Sequence, residues 1–121
     1  MTSNDGPRAR LEARQQAARA RVAGLERDFA AIVEATSAAN IDDEHDPEGA
    51  TIAFERQHVA ALLDQARDEL EQAAGALRRL DDDTYGRCER CGRPIPQARL
   101  AARPATTTCV QCAAASNRRR R

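Results

Sequence analysis

Lysine and tryptophan are missing from this chain of 121 residues, methionine occurs once, and the aromatic side chains are Phe29, Phe54 and Tyr85. So few large apolar groups, at a mean hydropathy of −0.69, exclude a large globular core. Stability has to come from a helix-rich body of Ala and Leu, with a cross-link elsewhere. Long hydrophobic runs are lacking too: charges interrupt every one, which excludes a membrane-spanning helix. The opening MTSNDGPRAR has no apolar stretch of the secretory kind, so a cytoplasmic location is expected. The absence of lysine among 19 basic residues accompanies abundant alanine and is read as a composition bias without functional meaning. Net charge is zero, but its distribution is not even. Asp42, Asp43, Glu44, Asp46 and Glu48 form an acidic stretch without a base, and Arg118, Arg119, Arg120 and Arg121 form a basic one.

Cys88, Cys91, Cys109 and Cys112 make two C-x-x-C pairs separated by seventeen residues. A two-residue gap lets both thiolates of a pair reach one ion from a single tight turn, and the intervening stretch allows a hairpin-like return. The pattern predicts one Zn²⁺ held by four sulfurs. Gly92 follows the first pair and can take the positive φ that turns backbone N–H groups toward a thiolate. Two disulfides are the alternative, and they need an oxidising compartment. Four protein sulfurs close the coordination sphere and leave no place for an activated water, so the metal is structural. No enzymatic activity is expected. The sequence carries no G-x-S-x-G, no phosphate-cradling glycine loop and no H-x-E ahead of a P-C-x-x-C. His45 and His58 have no partner at ligand spacing and are read as surface residues.

From about Arg8 to Ala39 the apolar positions form two interleaved seven-residue series. Leu11, Ala18, Leu25, Ile32 and Ala39 make one, and Val22, Phe29 and Thr36 the other. Alternating steps of three and four predict a coiled-coil helix. The pattern returns after the acidic stretch, with Ile52, Val59, Ala66, Ala73 and Leu80 in one series and Leu63, Leu70 and Leu77 in the other. The connection from Asn40 to Pro47 is about eight residues, short enough to favour pairing within the chain. Asp46 can cap the second helix while Pro47 fills its first turn. The expected fold is therefore mainly α: residues 1–7 disordered, an antiparallel coiled-coil hairpin over 8–83 with an acidic tip at 40–48, a C4 zinc finger over 84–112, then a short helix and basic tail over 113–121. A monomer is expected over a homodimer, although the Ala-rich seams also suit pairing between chains.

The string Y-G-x-C-x-x-C-G-x-x-I from Tyr85 to Ile95, followed by Arg99-Leu100, Pro104 and Cys109-x-x-Cys112, resembles the C4 zinc finger of the DksA/TraR family. The preceding hairpin resembles that family's architecture. The resemblance implies a regulator that binds RNA polymerase directly and inserts its coiled coil into the secondary channel to modulate initiation. It also implies that Asp43 and Asp46 are the tip aspartates of a D-x-x-D-x-A pattern. Glu48 stands where that pattern has Ala, and Asp83 where the family usually has Gly.

Two other functions fit the same residues. A sequence-nonspecific nucleic-acid-binding zinc ribbon would use Arg87, Arg90, Arg93, Arg99 and Arg103, which face one acid, Glu89, between Thr84 and Cys112. With four thiolates and Zn²⁺ taken as −2, that segment carries about +2. A redox- or zinc-responsive regulator would instead lose its metal when the thiolates are oxidised.

Overall fold

The computed structural model describes residues 5–39 and 47–120. The elements are α1 (Asp5–Ala39), α2 (Pro47–Asp81), α3 (Gln97–Ala102) and α4 (Val110–Arg120). Among the described residues there is no strand, only an isolated antiparallel bridge between Arg87 and Pro94. The fold is mainly α, with two long helices ahead of a small cysteine-bearing module. α1 starts at Asp5 rather than Arg8, so residues 5–7 are helical and not irregular as expected. Pro7 is tolerated because N–H groups in the first turn of a helix have no intrahelical acceptor to lose. α2 starts at Pro47. The expected tip lies at 40–48, and residues 40–46, with Asp43 and Asp46, fall outside the described residues.

The chain divides into two compact units, one of Gln16–Leu70 and one of Met1–Gln15 with Glu71–Arg121. In the first, the heptad positions point inward. Ala18, Leu63 and Ala66 are buried, and Val22, Leu25, Phe29, Ile32, Ile52, Val59 and Leu70 are half-buried. Thr36 is accommodated on the same stripe because its hydroxyl donates to the Ile32 carbonyl at 2.8 Å. Two ion pairs fix the helix direction in this unit: Arg21 with Glu69 at 3.1 Å and Arg67 with Glu26 at 3.1 Å. As the number rises on α1 it falls on α2, so the segments run antiparallel. Phe54 lies off both series and is 75% exposed.

In the second unit, Leu11 of α1 packs with Ala76 and Leu80 of α2, and Leu77, Tyr85 and Ala105 close around them. Ala76 is fully buried although it lies on neither heptad series. It faces neighbours that the helical repeat alone cannot supply. Arg8 pairs with Asp81 at 2.8 Å at the edge of this cluster.

α2 ends at Asp81, with Asp82 and Asp83 directly after it, an unfavourable run beside the negative end of a helix dipole. Backbone geometry makes the stop nonetheless. Asp83 has φ 61°, the N–H of Thr84 donates to the Arg79 carbonyl at 2.9 Å, and that of Asp83 to the Leu80 carbonyl at 3.3 Å. This is a Schellman closure with Asp in the left-handed position that Gly usually takes.

Candidate metal centre

The first cysteine pair sits on a tight turn closed by two backbone bonds. The Cys88 N–H donates to the Arg93 carbonyl at 2.9 Å, and the Gly92 N–H to the Cys88 carbonyl at 2.9 Å. Gly92 has φ 75°, as its place after the pair predicts. The second pair is built differently. α4 begins at Val110, three residues earlier than the expected helix, so Cys109 stands immediately before the helix and Cys112 lies in its first turn. The backbone N–H groups at a helix start have no carbonyl partners of their own and can turn to a thiolate, as they do to a capping hydroxyl.

Between the pairs the chain does more than return. It forms the short helix α3, which the sequence reading did not anticipate, and buries Leu100. Arg99 on α3 reaches the loop ahead of Cys109, donating through Nε to the Thr108 carbonyl at 2.8 Å and through Nη2 to the Thr106 hydroxyl at 3.3 Å. A second tie joins the two halves: the Glu89 N–H donates to the Thr107 carbonyl at 2.9 Å, and the Thr107 hydroxyl to the Glu89 carboxylate at 3.2 Å. Tyr85 packs against the cluster of Cys88, Ile95, Leu100 and Cys109 and also against Leu11, Ala76 and Leu80. Its hydroxyl donates to the Pro104 carbonyl at 2.7 Å, and burial pushes its pKa above the usual value.

These elements bring the four sulfurs of Cys88, Cys91, Cys109 and Cys112 within 4.8 Å of one another. Cys91 and Cys109 have their Sγ atoms 3.8 Å apart. Zn–S bonds of about 2.3 Å in a tetrahedron place neighbouring sulfurs about 3.8 Å apart, so the spacing suits a four-coordinate zinc. A disulfide needs about 2.05 Å, and all four cysteines are free thiols. Cys88 and Cys109 are buried, Cys112 is half-buried and Cys91 is exposed.

The thiols do not share proton affinity equally. Backbone N–H groups, that of Cys109 first and then that of Cys91, lower Cys88 to about 6. The Cys112 N–H lowers Cys109 in the same way. Cys112 is raised to about 12, chiefly by its side-chain hydrogen bond with Cys109. Four adjacent sulfurs cannot all carry charge without a cation between them, and backbone dipoles decide which ionise first. Thiolate donors in a closed soft set match Zn²⁺ and leave no open position for catalysis.

The sequence comparisons agree with this geometry. Residues 83–118 match the prokaryotic dksA/traR C4-type zinc finger. This module is similar to a dksA/traR zinc finger. An uncharacterized protein of Aquifex aeolicus is 53% identical over 38 residues, 31% of this chain and 26% of that protein. The RNA polymerase-binding transcription factor DksA of Caulobacter vibrioides is 43% identical over 58 residues, 48% of this chain and 41% of that protein. The matched stretch spans less than half the length of either relative. Transcription factor DksA2 from Pseudomonas aeruginosa has a similar structure, with a TM-score of 0.78 and 26% identity, covering 96% of this chain and 84% of that one. Likeness to a DksA therefore extends past the finger to the long helices.

Sequence reasoning found the four sulfurs but missed the roles of two arginines. Arg99 and Arg87 were grouped with the phosphate-attracting cations. Arg99 braces the second cysteine loop, and Arg87 donates to the Gly92 carbonyl at 3.2 Å. The R-L pair shared with the family pattern was the available signal for Arg99. No helix among the described residues is long and apolar enough to cross a membrane.

Proposed function

We propose that this chain is a non-catalytic, cytoplasmic transcription regulator that binds RNA polymerase directly. The observation that carries this reading is a dksA/traR finger joined to two long helices whose combined structure matches a DksA over 96% of the chain. In this reading Cys88, Cys91, Cys109 and Cys112 hold one structural Zn²⁺. The metal fixes the finger, and the finger braces the start of α1 and the end of α2 through Tyr85. The coiled coil enters the polymerase secondary channel as a monomer, and Asp43 and Asp46 modulate initiation from the tip. Phe54 and Val33, 75% and 38% exposed on the unit that would enter, supply apolar contact of the kind protein interfaces use.

Transcription in vitro with the cognate polymerase tests this reading. Wild-type protein should bind polymerase and change transcript yield, and the Asp43→Asn/Asp46→Asn variant should bind but lose most of that effect. A zinc-loaded protein that fails to bind polymerase would overturn the proposal, and equal effects from both forms would remove the tip from it.

A further inference from the structure

The zero net charge conceals a division that follows the two structural units. Gln16–Leu70 contains five arginines and twelve acids, a net charge of −7. Met1–Gln15 with Glu71–Arg121 contains fourteen arginines and seven acids, a net charge of +7. A Zn²⁺ tetrathiolate lowers the second figure by two and leaves that unit strongly cationic.

The packing of the cationic unit already uses five of those arginines. Arg8 and Arg78 pair with Asp81 and Glu71, and Arg79, Arg87 and Arg99 donate to carbonyls. Of the rest, Arg90, Arg93, Arg103, Arg118 and Arg119 are exposed and have no carboxylate partner among the described residues. Arg90 lies within the first cysteine turn, Arg93 just after it, Arg103 at the end of α3, and Arg118 and Arg119 in the last turns of α4.

The surroundings of these cations discriminate between partners. Protein interfaces centre on desolvated apolar and aromatic anchors. Val110 is the one exposed large hydrophobic residue described in this unit, and its one aromatic, Tyr85, is half-buried with its hydroxyl occupied. A phosphate backbone needs no such anchor. Without rings on which bases can stack, contact with nucleic acid would be blind to sequence. We propose that the zinc-finger unit binds the phosphate backbone of nucleic acid through Arg90, Arg93, Arg103, Arg118 and Arg119, while the anionic unit stays off it.

Fluorescence anisotropy of the zinc-loaded full chain with two duplex DNAs of unrelated sequence tests this. Both duplexes should bind with equal, weak affinity. If about four phosphates are neutralised, affinity should fall about 150-fold between about 50 and about 200 mM salt. Arg90→Gln/Arg93→Gln/Arg103→Gln should flatten that salt slope substantially while keeping its zinc content, and Arg19→Gln/Arg27→Gln/Arg56→Gln in the anionic unit should leave it unchanged. Absence of binding at the lower salt, a slope unaltered by the finger substitutions, or displacement by polyglutamate as readily as by unlabelled duplex would each overturn the proposal. The last result would assign the surface to an acidic protein instead.

Discussion

Asp83 shows how a residue can break a local preference and keep a backbone state. Its φ of 61° is the conformation that Gly adopts at no steric cost, so Asp83 serves here a turn for which Gly is the default residue. Asp83→Gly should change unfolding free energy by less than about 1 kcal/mol, because relief of strain offsets added chain entropy. Asp83→Val should cost about 2 kcal/mol, since a β-branched residue disfavours that region strongly; denaturant titration of the zinc-loaded protein measures both. At the metal centre, Cys109→Ser should lower zinc affinity by more than about 100-fold. Arg99→Ala, which only frees the preceding loop, should lower it about tenfold. Competition with a chromogenic chelator separates the two. The four cysteines were legible from their spacing because C-x-x-C geometry is local. The bracing by Arg99 was not, because its acceptor lies on Thr108, nine residues away across a turn.

Among the elements, the two long helices were legible because a heptad repeat writes its buried stripe directly into the sequence. Ala18, Leu63, Ala66, Ala73 and Leu80 are buried where the repeat puts them. α3 was not legible, since six residues between Pro96 and Arg103 hold too few periods to show a face, and its helix forms around one buried side chain, Leu100. The apolar contacts should dominate the energetics of the long helices. Leu11 has no exposed surface and packs with Ala76 and Leu80, so Leu11→Ala should cost about 2–5 kcal/mol and lower Tm accordingly. Arg21→Gln breaks an ion pair whose partners are 47% and 41% exposed. It should cost less than about 1 kcal/mol, and added salt should shrink even that difference.

For the whole molecule, dependence on the metal should be uneven. The finger's buried cluster is only Cys88, Ile95, Leu100 and Cys109, too small to persist without a cross-link, whereas the long helices keep their own apolar stripe. Chelation should therefore open residues 86–109 to limited proteolysis while most of the far-UV helical signal survives; simultaneous loss of both would show that the helices need the metal. The sequence by itself determined the coiled-coil stripes, the tetrathiolate donor set and the zero net charge, because each depends on residue type and short spacing. Only the tertiary structure decided that Tyr85 joins two apolar clusters, that Arg87 and Arg99 are consumed internally, and that opposite charges collect on different units. Those outcomes depend on which distant residues meet, and burial and hydrogen bonding set that only once the chain has folded.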